Sequence, residues 1–314
     1  MHRFGLYATR ALLVLALTAP FVGCEESVFP YKTDALYAVD PALISHREAA
    51  SWKLPLPTPC FLAMLPGGRA VAVGGRKGVI LGTNGVVQAS FSWTALPAAT
   101  AVAADPDGRI YIGAGNRVGI ADAAGRLSTS GWDSLGDEAR IAGMAASSNQ
   151  LWVCDAGQRV VWRFDPEGRL LGRLPAPGAP RDQTFVVPSP AFPVALDRDG
   201  TFWVANPGRS QMQRHAADGQ LLGKWASAGM SVTHLSGCCN PAYLAVLPNG
   251  LLVTSEKRIA RVKIYGPDGA FRSVVVPPSA LPGEEGRPVA VDPAGRVWVL
   301  DGATIRVFAA IRNP

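Results

Sequence analysis

Apolar and polar residues alternate along most of this 314-residue chain, and tight turns interrupt the alternation at regular intervals. Six segments share one design: 61–87, 101–127, 143–171, 194–222, 243–271 and 289–308. Each opens with alternating small apolar residues, reaches a turn, and returns through a run rich in Val, Ile and Trp. That is the period-two pattern of half-buried strands. The first turns read Pro66-Gly67-Gly68, Asp105-Pro106-Asp107-Gly108, Ser147-Ser148-Asn149, Asp197-Arg198-Asp199-Gly200, Pro248-Asn249-Gly250 and Asp292-Pro293-Ala294-Gly295. Gly and Asn at such places supply the positive φ of hairpin turns. Five copies carry a second turn, at Gly85, Gly125, Gly168, Gly219 and Gly269, which lie 17, 17, 19, 19 and 19 residues beyond the first. Spacings that differ by an even number keep the same side chains on the same face of each strand. A fourth short strand follows the second turn, as in Leu170-Leu171-Gly172-Arg173-Leu174 and Leu221-Leu222-Gly223-Lys224-Trp225. Four antiparallel strands recurring every 40 to 51 residues predict an all-β, six-bladed β-propeller.

The sixth copy ends after its third strand, and an unpaired outer edge would be a liability. The strand-like segment Ala49–Leu54 is expected to complete that blade and close the ring. Tyr111, Trp152, Trp203 and Trp298, each three residues past a first turn, are expected to pack blade on blade. Arg163, Arg214, Lys263 and Arg306 on the third strands are expected to reach solvent.

Leu151–Leu171, which reads LWVCDAGQRVVWRFDPEGRLL, resembles an NHL repeat: strand, Asp-Ala/Ser-Gly-Asn, Arg-Val, strand, Asp-x-x-Gly. The resemblance covers about residues 60–310, is best in the third to fifth copies, and implies a six-bladed propeller. Gly237-Cys238-Cys239-Asn240-Pro241 and Thr254-Ser255-Glu256-Lys257 resemble an uncharacterised bacterial NHL group, which implies no activity. NHL propellers include binding platforms and a few lyases, so the fold does not choose between them.

The N-terminus changes where this propeller is expected to work. His2, Arg3 and Arg10 precede a 12-residue apolar run, Ala11–Val22, which is too short to span a bilayer and has signal-peptide length. Phe21-Val22-Gly23-Cys24 resembles a bacterial lipobox, which implies cleavage before Cys24 and a diacylglycerol on its thiol. The alternative is an ordinary cleavable signal with a chance cysteine. The expected division is a lipoprotein-type signal over 1–23, a tether and surface segment over 24–48, and the propeller over 49–314. Export to the bacterial envelope follows from either reading of the signal, and a lipid anchor on its periplasmic or surface side follows from the lipobox reading. Losing residues 1–23 removes two arginines and no acid, lowering the net charge from +6 to +4. With no basic run in the chain, nucleic acid is not an expected partner. A monomer is expected.

Counting strands puts the links between blades, and the loops between second and third strands, on one face, here the upper one. Cys60, Cys154, Cys238 and Cys239 all fall there, an even number in a compartment that permits disulfides. The Cys238-Cys239 pair has three readings: buried thiols, a vicinal disulfide, or bridging to Cys60 or Cys154 or sharing a metal with them. His234, four residues before Cys238, is the nearest further ligand. No CxxC, CxxCH or HExxH is present, so no metal is assigned. The two longest links, holding 175–193 and 226–241, flank the fourth blade and are expected to wall a pocket. Asp155, Asn206, Glu256 and Asp301, with Lys77, Arg159, Arg209, Lys257 and Arg258 close by, are expected around the upper mouth of the channel. Such oxygens suit Ca²⁺, although turn chemistry explains Asp and Asn at loops equally well. No cofactor is predicted beyond that calcium alternative. The reading placed first is a binding platform for an envelope protein or glycan. The alternatives are a metal-dependent hydrolase or lyase at the channel mouth, and a redox accessory using Cys238-Cys239.

Overall fold

The computed structural model describes residues 34–128, 132–237 and 239–311. The signal segment, Cys24 and Cys238 therefore lie outside the described residues. Six antiparallel sheets follow one another along the chain. Blade 1 comprises Cys60–Met64, Ala70–Gly74, Lys77–Leu81 and Val87–Ser92; blade 2 has Ala101–Ala104, Ile110–Ala114 and Arg117–Ala121. Blade 3 comprises Ile141–Ala146, Leu151–Asp155, Val160–Phe164 and Leu170–Leu174. Blade 4 is built from Val194–Leu196, Phe202–Asn206, Gln211–His215 and Leu221–Ala226. Blade 5 takes Tyr243–Val246, Leu252–Glu256, Arg261–Tyr265 and Phe271–Val276. Blade 6 joins Val289–Val291, Val297–Asp301 and Thr304–Ala310 to the early strand His46–Lys53. In blade 2 the fourth place is held by an irregular segment. Its Ser128, Trp132 and Leu135 N–H groups donate to the carbonyls of Ile120, Val118 and Asn116.

The ring closes as the truncated sixth copy requires: His46 pairs with Ala310 and Lys53 with Thr304. The closing strand differs in its bounds from the expected one. It starts three residues before Ala49, and Leu54 lies past its end, donating its N–H to Ala303 O at 2.7 Å. Residues 44 and 45, expected in the tether, are also fixed to the ring. Ile44 forms a parallel bridge to Val274, and Ser45 N donates to Val274 O at 3.0 Å. An edge strand's unpaired groups draw in the chain that precedes it.

Each blade is apolar on both faces, and six apolar clusters fill the six seams between neighbours. Tyr111, Trp152, Trp203 and Trp298 are buried there, as their common register predicts. The second-turn glycines have a packing reason beyond their positive φ. A Cβ on Gly85 would stand 2.1 Å from Trp52, on Gly125 2.5 Å from Phe91, on Gly168 2.7 Å from Trp132, and on Gly269 2.7 Å from Trp225. In each instance the aromatic belongs to the outermost position of the preceding blade, so the glycine is where one blade edge rests on the next. On the lower face a repeated Asp-x-x-Gly-Arg turn is held by its own carboxylate. Asp105, Asp122, Asp165 and Asp292 each accept two backbone N–H groups and pair with the arginine four residues on.

Candidate functional site

Every second strand runs upward and ends at Gly74, Ala114, Asp155, Asn206, Glu256 or Asp301. In four blades this last residue is polar, and its side chain turns to the loop that enters a blade rather than to the channel. Asp155 Oδ1 accepts the N–H groups of Arg140 (2.8 Å), Gly157 (3.0 Å) and Gln158 (3.1 Å), and Oδ2 accepts Trp162 Nε1 at 3.2 Å. Asn206 receives Val186 N at 2.8 Å and donates to Thr184 O at 2.9 Å, pinning the long 175–193 link. Asp301 accepts from Arg287 Nε at 2.6 Å. In blade 1 the glycine does the same work by leaving space, since a Cβ on Gly74 would lie 2.2 Å from Pro57 O.

Glu256 anchors the other long link through a buried charge cluster. Its carboxylate meets Arg261 Nε at 2.6 Å, Lys263 Nζ at 2.7 Å and Ser236 Oγ at 3.1 Å. Arg261 and Lys263 in turn donate to the carbonyls of Ser231, Val232 and His234. Burial pulls the Lys263 ammonium down to about 8 against the opposing pull of Glu256. Lys263 was expected in solvent with the other third-strand cations, and instead it is fully buried. Arg163, Arg214 and Arg306 do reach the blade margin, where Arg214 meets Asp199 and Arg306 meets Glu48.

The expected polar ring around the mouth is therefore corrected. Asp155, Asn206 and Glu256 are fully buried with their oxygens taken up by N–H groups and cations, and Asp301 is paired. Among the described residues no group of three or more His, Cys, Asp or Glu is placed to hold a metal. Arg159 sits exposed at φ 58°, Arg209 Nη2 donates to Arg181 O at 2.8 Å, and Arg258 pairs with Glu284 at 3.0 Å. His234 holds Ser231 Oγ at 2.5 Å and Thr233 Oγ1 at 3.1 Å.

The cysteines do not gather into one site as far as they are described. Cys60 lies in the seam between blades 6 and 1, Cys154 in the seam between blades 3 and 4, and both are free thiols. Burial pushes both thiols up, Cys154 further with the help of Asp155, so neither carries the thiolate that reactivity needs. Cys60 Sγ donates to Pro57 O at 3.1 Å. Cys239 is half-buried beside Asn240, whose amide bonds Lys257 N (2.9 Å), Lys257 O (3.0 Å) and Ser236 O (2.5 Å).

The concave feature of the upper face is a bowl of about 620 Å³ over the channel mouth. All six blades contribute to it: Phe61, Thr100, Ile141, Ala191, Tyr243 and Gly286 are representative. Beneath it the channel narrows to about 70 Å³ between the first strands. At the level of the constriction the copies place Phe61, Ala101, Gly143, Pro193, Tyr243 and Pro288, two aromatics among small residues. A side cavity of about 480 Å³, bounded by Cys60, Arg287 and Asp301, shares Tyr243 and Glu285 with the bowl. Burial, and then Glu285, push the Tyr243 phenol up to about 12 against the pull of Arg287, so it stays a protonated donor near neutral pH. The charged rim is Arg140, Lys257, Arg258, Glu284 and Glu285.

Of the residues predicted for this face, Lys257 and Arg258 line the bowl, and Cys60 and Asp301 line the side cavity. Of the two long links, 175–193 reaches the bowl through Pro190 and Ala191, whereas 226–241 packs beside it. Arg140, Phe61, Tyr243 and Glu285 escaped the sequence reading. Aligning the copies on their first strands, rather than on their turns, would have shown the aromatics at 61 and 243 where the others carry Ala, Gly or Pro.

No family model matches the chain, and no curated protein matches it. Solved structures do match. A streptogramin B lyase structure aligns with a TM-score of 0.57 and 13% identity, covering 87% of this chain and all of that one (100%). The WD40 β-propeller domain of Doa1 gives 0.56 and 11% identity over 86% of this chain and 98% of its own. A protein of unknown function from Bacteroides caccae gives 0.51 and 14% over 74% and 82%. At such identities the likeness speaks for the fold and for no activity. The chain is a six-bladed β-propeller, consistent with the NHL-like design of its repeats.

Proposed function

We propose that this chain is an interaction platform of the bacterial envelope, exported, anchored through a lipid on Cys24, and meeting a protein partner at the bowl. The observation that carries the reading is the bowl itself. It is concave, floored by the narrowing channel, built by every blade, and rimmed by loops whose backbones are pinned by buried side chains. Its volume falls in the range of ligand sites, roughly 300–1,000 Å³. The phenol of Tyr243 is a donor and not a base, and Glu284 is paired with Arg258. The anchor rests on the 12-residue apolar run and Phe21-Val22-Gly23-Cys24. The chain joins blade 6 at His46, the end away from the bowl, which suits presenting the bowl outward from a membrane.

Affinity capture from envelope extract tests this, with Ala142→Trp as the variant that fills the bowl. A partner held by the wild type and lost by the filled variant is expected. Equal recovery by both, or recovery by neither, overturns the reading. Incorporation of labelled palmitate that disappears in Cys24→Ser tests the anchor separately.

A further inference from the structure

We infer that the part of the partner that enters the bowl is an apolar group carrying a single negative charge, that charge lying against Arg140 and Lys257. The inference rests on reading the bowl as the binding site and adds the chemistry of what fills it. Of the three cations that line the bowl, only Arg258 is matched by a carboxylate among the described residues. On the lower face Arg109, Arg126, Arg169 and Arg296 lie within 2.5–2.7 Å of a carboxylate. On the upper face Arg258 and Arg287 are matched by Glu284 (3.0 Å) and Asp301 (2.6 Å). Arg140 and Lys257 have no carboxylate within ion-pair distance among the described residues. Arg140 Nη1 meets only the neutral carbonyls of Asp137 (2.7 Å) and Ala139 (2.6 Å).

Both cations line the bowl, one from blade 3 and one from blade 5, and both are set on fixed backbone. Asp155 holds the N–H of Arg140 and Asn240 that of Lys257. The Arg140 guanidinium is held in place by its two carbonyls before a ligand arrives, and the fixed backbone of Lys257 lowers the cost of ordering its side chain. Between them the wall is apolar, with Phe61, Ile141, Ala142 and Ala191 facing the space. The narrowed channel below makes the bowl a dead end, so the body of the ligand rests on this floor. On the blade 6 side stands Glu285, close enough to Tyr243 to raise its phenol. A second negative charge would face that carboxylate, and the site is thus built for one. A sugar, which needs hydrogen-bond partners over its whole surface, is poorly served by such a wall.

Isothermal titration of the full chain compares three probes of similar size: 4-phenylbutyrate, 4-phenylbutan-1-ol and the dianion 2-phenylsuccinate. The monoanion is expected to bind at least about tenfold more tightly than either, the yield of one charge-assisted hydrogen bond. The preference over the alcohol is expected to shrink in Arg140→Gln and in Lys257→Gln, each checked for an unchanged melting temperature, and to weaken with salt. Absent binding of 4-phenylbutyrate, equal binding of the alcohol, tighter binding of the dianion, or a preference untouched in both variants overturns the inference. If the capture experiment still shows a partner lost by Ala142→Trp, only the ligand class fails and the platform stands. If neither experiment shows a bowl-dependent ligand, both fail.

Discussion

Replacing Gly85 by Ala tests how the ring is held shut. Gly85 has φ +77°, and an L-residue there costs about 1 kcal/mol relative to glycine. The added Cβ would also stand 2.1, 2.2 and 2.5 Å from Cδ2, Cε2 and Cγ of Trp52, well inside van der Waals contact. Trp52 has little freedom to retreat. It lies on the strand that closes blade 6, with its ring centroid 5.4 Å from that of Trp298. Overpacking of this kind costs about 1–3 kcal/mol, so Gly85→Ala is expected to lose about 2–4 kcal/mol in all. Gly250→Ala is the internal control: φ there is +80°, but no atom lies within 4 Å of the new methyl. It is expected to lose only the backbone component, about 1 kcal/mol. In a Trp52→Ala background the clash disappears and Gly85→Ala should cost about 1 kcal/mol as well, a coupling of about 1–3 kcal/mol. Urea denaturation followed by circular dichroism on the four variants reads these values. Equal losses at positions 85 and 250, or no relief from Trp52→Ala, would refute the claim that this glycine seats one blade on the next.

Acid should find a weak point at His215, which is buried against Phe202 and drawn down to about 4 mainly by that burial, against the hydrogen bond to Gly219 O. The unfolded imidazole takes its proton near 6.5 and the folded one only near 4, so stability present above pH 6.5 is lost as pH falls towards 4. The loss is about 3 kcal/mol across that window, and melts at pH 4.5 and 7 should differ less in His215→Asn; an unchanged difference would refute the assignment. Asn240→Ala removes the partner of Lys257 N and of two carbonyls, for about 2–3 kcal/mol. Faster hydrogen exchange at Lys257 is its specific sign, and exchange at the wild-type rate counts against the clamp. Iodoacetamide at pH 7 should leave Cys60 and Cys154 unmodified in the native protein, as mass spectrometry will show, since burial keeps both as thiols; alkylation at the rate of a free cysteine would contradict that.

The fold was legible because its rules are local and repeated. Turn glycines, an even spacing between them, and a missing last strand are readable from residue order alone, and the closing strand was placed to within three residues. Among the third-strand cations the reading failed at Lys263, where register differs by one residue from Arg163 and Arg214. Arg163 and Arg214 pair across from Trp152 and Trp203, but Lys263 pairs across from Thr254, the neighbour of the equivalent Val253. A shift of one residue turns a side chain to the other face of a strand. Arg306 shares the offset, pairing across from Val299, and still reaches Glu48 at the margin, so what holds Lys263 in the seam is the buried carboxylate of Glu256 as well as its register. Counting from the turns shows the offset: Arg163 and Arg214 stand 14 residues past Asn149 and Gly200, and Lys263 stands 13 past Gly250.

The upper-face residues show a different limit. An Asp, Asn or Glu at the end of a second strand looks the same in sequence whether it faces a channel or a neighbouring loop. What separates the two is how closely the incoming loop approaches, and the loop is remote in the chain from the residue it meets: Asn206 bonds residues 184 and 186, and Glu256 bonds Ser236. Gly74 makes the point from the other side, since there the approach is so close that no side chain fits at all. Carboxylate, amide and absent side chain are three solutions to one problem, the fixing of a loop above a seam. A residue spent on that task is unavailable to a ligand. The chemistry of the mouth therefore falls to what the fixed loops and first strands present one layer inward: the cations of Arg140 and Lys257, the phenol of Tyr243 and the ring of Phe61. The polar residues that drew attention in the sequence hold Arg140 and the loop beside Lys257 still.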